Sequence, residues 1–392
     1  MEAKAWKTGL DYLVEVYGEH RVSSAMAKLG ELVIEVPSWG FGRGGTRFGS
    51  FIDGSEPRDL AGRLAEAGKL YQLTGQGKKV AFHFPWDGEG PECAPEIKVL
   101  LKKYGLEAGA INSNMFEPRA EGPLNYELRL GSFTHPDKKV RAAAVAHNID
   151  CLEIGRALGS GLLSVWLPDG SNSPGQTSLY DQADWLESSL QEIYAALQPQ
   201  EKLLLEYKFF EPGFYSTAVA DWGRALKVCE KLGDQAEVLV DLGHHPLATN
   251  IEQIVALLLR EGRLGGFHIN DRKYADDDLA AGSIDPAQLF RIFVTILEGE
   301  ERGLTPVAEI NFTIDQSHCI KNPTMELAET IENIQMAFIR ACMVDQQALA
   351  EARAQKDLIR ADAILRDGFN CDPRPLLQAY RDSKNLSLDP LV

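Results

Sequence analysis

Acids and imidazoles recur at comparable places in the second half of the chain. LLLEYK carries Glu206, LVDLGHH carries Asp241, His244 and His245, FHIND carries His268 and Asp271, and FTIDQSH carries Asp315 and His318. Taken one per segment, Glu206, Asp241, His268 and Asp315 form a set of three carboxylates and an imidazole. That mix suits a hard or borderline divalent ion such as Mn²⁺, Mg²⁺, Co²⁺ or Zn²⁺. Singly, each has a plainer explanation: an Asp at a strand end is usually a helix N-cap or loop residue, and a His in an apolar strand is usually a hydrogen-bonded core residue. Four of them on four successive segments are harder to explain that way.

A second set follows closely. NDRKYADDDLAAG contains Asp276, Asp277 and Asp278, a run that is ordinarily a solvated loop. Asp276 and Asp278 are two residues apart, so in an extended segment both point the same way. With His244 they could hold a second cation, since clustered acids are unfavourable until something positive neutralises them.

These residues need a scaffold that brings distant segments to one place. Short apolar runs alternate with helix-period stretches. The predicted strands are 31–36, 79–84, 108–112, 162–167, 202–207, 237–242, 265–270 and 307–312, separated by amphipathic segments such as QADWLESSLQEIYAALQ and NIEQIVALLLREGRL. Eight such units predict an α/β fold, a (β/α)8 TIM barrel, whose C-terminal strand ends carry the chemistry. Neighbouring strands lie about 4.8 Å apart, so equivalent positions can share one small ion. The Ala-, Glu- and Gln-rich tail predicts additional C-terminal helices. The expected division is 1–325, an N-terminal helix and the barrel, and 326–392, a helical extension packed on the barrel or on a neighbouring subunit.

Bulk properties narrow the partners. With 392 residues and a formal charge of −17, the chain is a poor match for a nucleic acid or an anionic membrane surface, which are held mainly by Lys and Arg. A neutral polyol or a cation remains compatible. Six scattered cysteines without a CxxC pair read as reduced thiols. The N-terminal segment has no signal-peptide h-region, and no apolar run reaches the roughly 18 residues of a membrane span; the expectation is a cytoplasmic protein.

Gly40, Gly42 and Gly45 satisfy GxGxxG after the first predicted strand. A dinucleotide site needs a helix opening at the third glycine, whereas TRFGSFIDGSEP continues as loop. A mobile lid carrying Trp39, Phe41 and Phe48 accounts better for glycines and aromatics together.

Longer motifs now become recognisable. EYKFFEPGFYST, VDLGHH, GGFHINDRKYADDDL and IDQSH resemble the metal-site segments of the L-rhamnose isomerase family, particularly its broad-specificity bacterial branch. VPSWGFGRGGTRF (36–48), HFPWD (83–87), INSNMF (111–116), GSFTHP (131–136) and VWLPDGSNSPGQ (165–176) extend the likeness over about residues 30–325. The resemblance implies two divalent metal ions, most naturally Mn²⁺. Glu206, Asp241, His268 and Asp315 resemble the ligands of a structural metal; His244, Asp276 and Asp278 resemble those of a catalytic one. It also implies that Lys208 and His244 contact substrate, that Trp86 and Trp166 are pocket aromatics, and that His83 lies near a sugar ring oxygen. Phe48 would reach a neighbouring subunit's pocket within a homotetramer. One departure is Tyr207, where the family more commonly has His; strand alternation turns it away from Glu206 and Lys208.

The implied reaction interconverts an aldose and a ketose, with L-rhamnose the first expectation and L-lyxose, L-mannose, D-allose and D-ribose as alternatives. Two routes stay open: a metal-assisted hydride shift, and an enediol route with Asp315 or a metal-bound water as base. Label uptake from D2O separates them. Related barrels with similar clusters cut phosphodiesters, and Arg43, Arg47, Arg272 and Lys273 would have to serve that alternative. A non-catalytic sugar-binding protein would need neither cation cluster.

Overall fold

The computed structural model describes residues 2–42, 45–46, 49–50, 59–116, 128–211, 215–317 and 320–391. Phe48, Arg43, Arg47, His318 and Cys319 lie outside these. Eight strands form a closed parallel barrel: β1 (Ile34–Pro37), β2 (Lys79–Phe84), β3 (Glu107–Ser113), β4 (Leu162–Val165), β5 (Lys202–Glu206), β6 (Ala236–Asp241), β7 (Leu264–Ile269) and β8 (Asn311–Ile314). They neighbour one another in the order β1-β8-β7-β6-β5-β4-β3-β2, the (β/α)8 arrangement that the alternating pattern predicts. Strands such as AEVLVD and LGGFHI are buried throughout, as parallel strands covered by helices should be.

Thirteen helices are present among the described residues: α1 (Glu2–Tyr17), α2 (Glu19–Glu31), α3 (Leu60–Thr74), α4 (Ala94–Tyr104), α5 (Lys138–Leu158), α6 (Leu179–Tyr194), α7 (Trp222–Leu232), α8 (Ile251–Arg260), α9 (Pro286–Glu301), α10 (Pro323–Cys342), α11 (Gln346–Ala354), α12 (Leu358–Asn370) and α13 (Arg374–Ser383). Their starts are set locally. Asp59, Asp137, Ser178, Asp221, Asn250, Asp285 and Asn322 each accept a first-turn amide with the side chain, satisfying a donor the helix itself cannot. α10 packs on both α9 and α3 and so closes the helix ring; α1 lies along α13. No helix among the described residues is long and apolar enough to cross a membrane.

Two strands begin later than predicted: β1 starts at Ile34, because Glu31 still belongs to α2, and β8 is displaced further. Residues 307–309 form a single 3-10 turn after Pro306, and β8 begins only at Asn311. Val307 and Ile310 are buried while Ala308 and Glu309 are exposed. That three-residue spacing belongs to a helical turn, and a short apolar run does not distinguish it from a strand. The shift places Asp315 directly after β8, still at the C-terminal mouth.

Candidate metal centre and sugar pocket

The mouth of the barrel gathers nearly all the acids and imidazoles singled out above. Glu206, Asp241, His268 and Asp315 each offer a ligand atom within 4.8 Å of the others. His268 Nδ1 faces Glu206 at 3.1 Å, Asp315 at 3.4 Å and Asp241 at 3.8 Å. A second group with the same spacing is Asp241, His244 and Asp276, in which His244 Nε2 lies 3.4 Å from Asp276 and 3.9 Å from Asp241. Asp241 therefore stands between the two groups and belongs to both.

Asp278 is placed differently from the sequence expectation. The segment 271–279 is not extended; it folds back on itself through a bridge between Asp271 and Leu279, and Asp278 has a left-handed φ of 47°. Asp278 still lines the cavity and shares a hydrogen bond with Asp276, but Asp241 takes the third place in the second group. Asp277 accepts the amides of Lys273, Tyr274 and Ala275, so it builds the turn. Asp271 accepts the amides of Ile284 and Asp285 and is likewise a loop anchor.

The groups around the ligand atoms hold them in place. Asn270 Nδ2 reaches both Asp241 oxygens at 3.1 and 3.2 Å, and the Gly243 amide donates to Asp241 at 2.7 Å. Trp39 Nε1 donates to Asp315 at 3.1 Å. His244 Nδ1 lies 3.0 Å from the Tyr207 carbonyl; donating there directs Nε2 toward Asp241 and Asp276. Asn270 shares a strand face with His268 at a spacing of two, a signal available in the sequence.

Electrostatics describe a site built for positive charge. Burial pulls the His268 ring down, but Glu206, Asp315 and Asp241 outweigh it and hold it up at about 10. For His244 burial likewise acts downward, and Asp241 and Asp276 bring it to about 9. Burial, opposed by His244 and reinforced by Glu206, pushes the Asp241 carboxyl up to about 7. Asp278 is raised well above the carboxylate range by burial and by Asp276. Among the described residues five acids thus gather around one lysine, Lys208, and two imidazoles whose pKa values are raised. Two rings and several hard oxygens converging at these distances are a donor set that fits divalent ions.

Lys208 donates to Asp276 at 2.6 Å and Glu211 at 2.9 Å, and its ammonium lies 5.1 Å from the Trp166 ring centre. Burial lowers its pKa, but the two carboxylates prevail and raise it, so the charge is retained. Tyr207 is buried and turned away, its hydroxyl 2.6 Å from His245 Nε2. That pairing accounts for His245 as a packed residue.

The remaining wall is aromatic. A cavity of about 240 Å³ is lined by Trp39, His83, Trp86, Phe116 and Trp166 beside the acids. His83 sits edge-on to Trp86 with ring centres 4.0 Å apart. Burial, and then His147 and His268, press its pKa down to about 3, so it is neutral. Asp87 fixes this wall by accepting from the His83 amide at 2.8 Å, Ser38 Oγ at 2.5 Å and Arg63 at 2.7 Å, a role the sequence did not suggest. The lid expected around Trp39 and Phe41 is corrected here. Phe41 is fully buried and Trp39 is held in the pocket by Asp315, both on a short 3-10 turn following β1. Phe48 falls outside the described residues.

Comparison with known proteins agrees with this geometry. A family model described as a xylose isomerase-like TIM barrel matches residues 63–299. The chain belongs to that family. A probable sugar isomerase of Mesorhizobium japonicum is 38% identical over 371 residues, 95% of this chain and 85% of that protein. A probable sugar isomerase of Rhizobium meliloti matches with the same identity and coverage. Among solved structures, a 3-keto-D-glucoside 4-epimerase from E. coli superposes with a TM-score of 0.55 at 12% identity, covering 78% of this chain and 99% of that one; this likeness concerns the fold. The protein is thus a sugar isomerase-like member of the family.

Proposed function

We propose that this protein is a metal-dependent aldose–ketose isomerase whose preferred reaction converts L-rhamnose to L-rhamnulose, with relaxed specificity for other aldoses. The observation that carries the reading is the pair of adjoining ligand groups sharing Asp241, beside Lys208 and an aromatic wall. The specific sugar rests on the likeness of the segments around residues 206–217, 240–245 and 265–279 to L-rhamnose isomerases. One divalent ion would be held by Glu206, Asp241, His268 and Asp315, and a second by His244 and Asp276 together with Asp241 or Asp278. When bound, such ions supply Lewis acidity to neighbouring sugar oxygens.

The chain's own residues do the rest. Lys208 keeps its positive charge beside Asp276 and would face oxygen on the reacting carbons, where negative charge develops. His83, neutral, offers a hydrogen bond to the sugar without carrying a proton to it. Trp86, Trp166 and Phe116 enclose the sugar and exclude water. Asp315 is the acid available as a base in an enediol route. A hydride shift between C1 and C2 is favoured, because the acids are engaged as ligands. By the same family likeness the enzyme is a cytoplasmic homotetramer, with Phe48 reaching a neighbour's pocket.

Phosphodiester cleavage is less well supported. Lys208 is the one Lys or Arg lining the cavity among the described residues, and the four acids Glu206, Asp276, Asp278 and Asp315 line it too, which disfavours a phosphate. Arg272 is engaged with the carbonyls of His245 and Pro246. The test of substrate is a panel of L-rhamnose, L-lyxose, L-mannose, D-allose and D-ribose with the Mn²⁺-loaded protein. L-Rhamnose should give the highest kcat/KM; another aldose ahead of it by tenfold would overturn that choice.

A further inference from the structure

The acids and the two imidazoles occupy half of the barrel's circumference, on β5, β6, β7, the loops after β6 and β7, and the residue after β8. β4 borders this half, paired directly with β5, and lies across the barrel from β8. Ser164 and Trp166 alternate along this segment with the buried Val165 and Leu167, so both turn toward the barrel axis, and both line the cavity. Ser164 is 1% exposed. Its Oγ and the Trp166 Nε1 are buried polar atoms without a hydrogen-bond partner. Buried hydroxyls away from the cavity are satisfied: Ser132 and Thr134 donate to Asp169, and Ser189 donates to the Phe133 carbonyl; Ser113 Oγ, on the adjoining β3 and also lining the cavity, is likewise unpartnered.

Leaving a buried polar atom unpaired costs about 1–3 kcal/mol, and native structures seldom tolerate it without a partner that arrives later. The cavity side of β4 has two such atoms at a spacing of two residues. A strand facing only apolar groups would be served by Ala or Val at position 164. The unpaired atoms face a space that a polyhydroxylated chain, anchored by its first carbons at the acids, would have to cross.

We infer that Ser164 is a specificity-determining residue, its hydroxyl pairing with one hydroxyl of the sugar beyond the two reacting carbons and Trp166 Nε1 donating to the same region. The assignment rests on the proposed sugar-isomerase reading and adds a recognition point on the strand beside Glu206, across the barrel from Asp315. Ser164 belongs to neither ligand group, so its part is to read the substrate rather than to act in the chemistry. A site with a buried hydroxyl in place discriminates against an analogue lacking its partner.

The experiment crosses a deoxy scan with substitution at this position. Affinities of the Mn²⁺-loaded full chain for its best aldose and for the analogues deoxygenated in turn at each hydroxyl-bearing carbon beyond C2 are measured by calorimetry, for the wild type, Ser164→Ala and the near-isosteric Ser164→Cys. Isomerisation is followed separately on the same samples. One deoxy analogue should bind the wild type about 2- to 12-fold more weakly than its parent, the range of a single neutral hydrogen bond. Ser164→Ala should bind the parent sugar equally weakly and show no further loss with that analogue, and Ser164→Cys should fall between. Losses that simply add at every position, as for an Oγ that binds ordered water only, overturn the assignment. So does failure of every sugar to bind. Coupled losses without any aldose–ketose conversion would uphold Ser164 and remove the isomerase reading alone.

Discussion

At the scale of single residues, the account turns on how few groups oppose so many acids. Asp276 joins three of them: it contacts His244, accepts from Lys208 and shares a hydrogen bond with Asp278. Asp276→Asn keeps the shape but removes the charge from the second ligand group. We expect kcat/KM to fall about 100-fold, the scale of lost metal-site groups, with the circular dichroism spectrum unchanged. Turnover at the wild-type level would remove the second cation from the account. The sequence made Glu206, Asp241, His268 and Asp315 legible because each lies at or beside the C-terminal end of a strand, and strand ends converge in a barrel. It did not reveal that Asp241 serves both groups, since spacing assigns a residue once while three-dimensional proximity does not. Asn270 and Asp87 act through hydrogen bonds to other residues, and their types alone carry no such message.

At the scale of elements, strands with continuous apolar runs were readable, and β8 was not. Its neighbourhood contains the apolar VAEI, whose burial follows a helical turn after Pro306. The turn at 271–279 was misjudged for a related reason. Alternation predicts a common face only if the backbone is extended, and Asp278 sits at positive φ in a folded-back segment. A testable element-level contact joins α5 to the start of β5. Arg156 forms a two-pronged pair with Glu201 at 2.7 and 2.8 Å, and the Gln198 amide adds 2.8 Å. Burial raises the Glu201 carboxyl, but Arg156 and that amide outweigh it and hold it below its ordinary value. A lowered folded-state pKa gives stability that is whole above the unfolded value, about 4.3, and is lost as pH falls through the lowered one. Glu201→Gln should therefore cost about 1–3 kcal/mol at pH 7, measured by urea unfolding, with the difference shrinking below pH 4. A difference independent of pH would show that the charge does not matter there.

At the scale of the whole molecule, a closed barrel explains why residues between 206 and 315 meet in one cavity. Its ring of eight strands divides into a wall of acids and a wall of aromatic and unpaired polar groups. The family match and the two 38%-identical relatives support a sugar isomerase-like chain. The most direct test follows aldose-to-ketose conversion by the same preparation before chelation, after exhaustive chelation, and after Mn²⁺ is returned. The account predicts conversion of L-rhamnose that disappears on chelation and comes back with Mn²⁺. Conversion that survives complete removal of divalent ions, or no conversion of any aldose with Mn²⁺ restored, would contradict it.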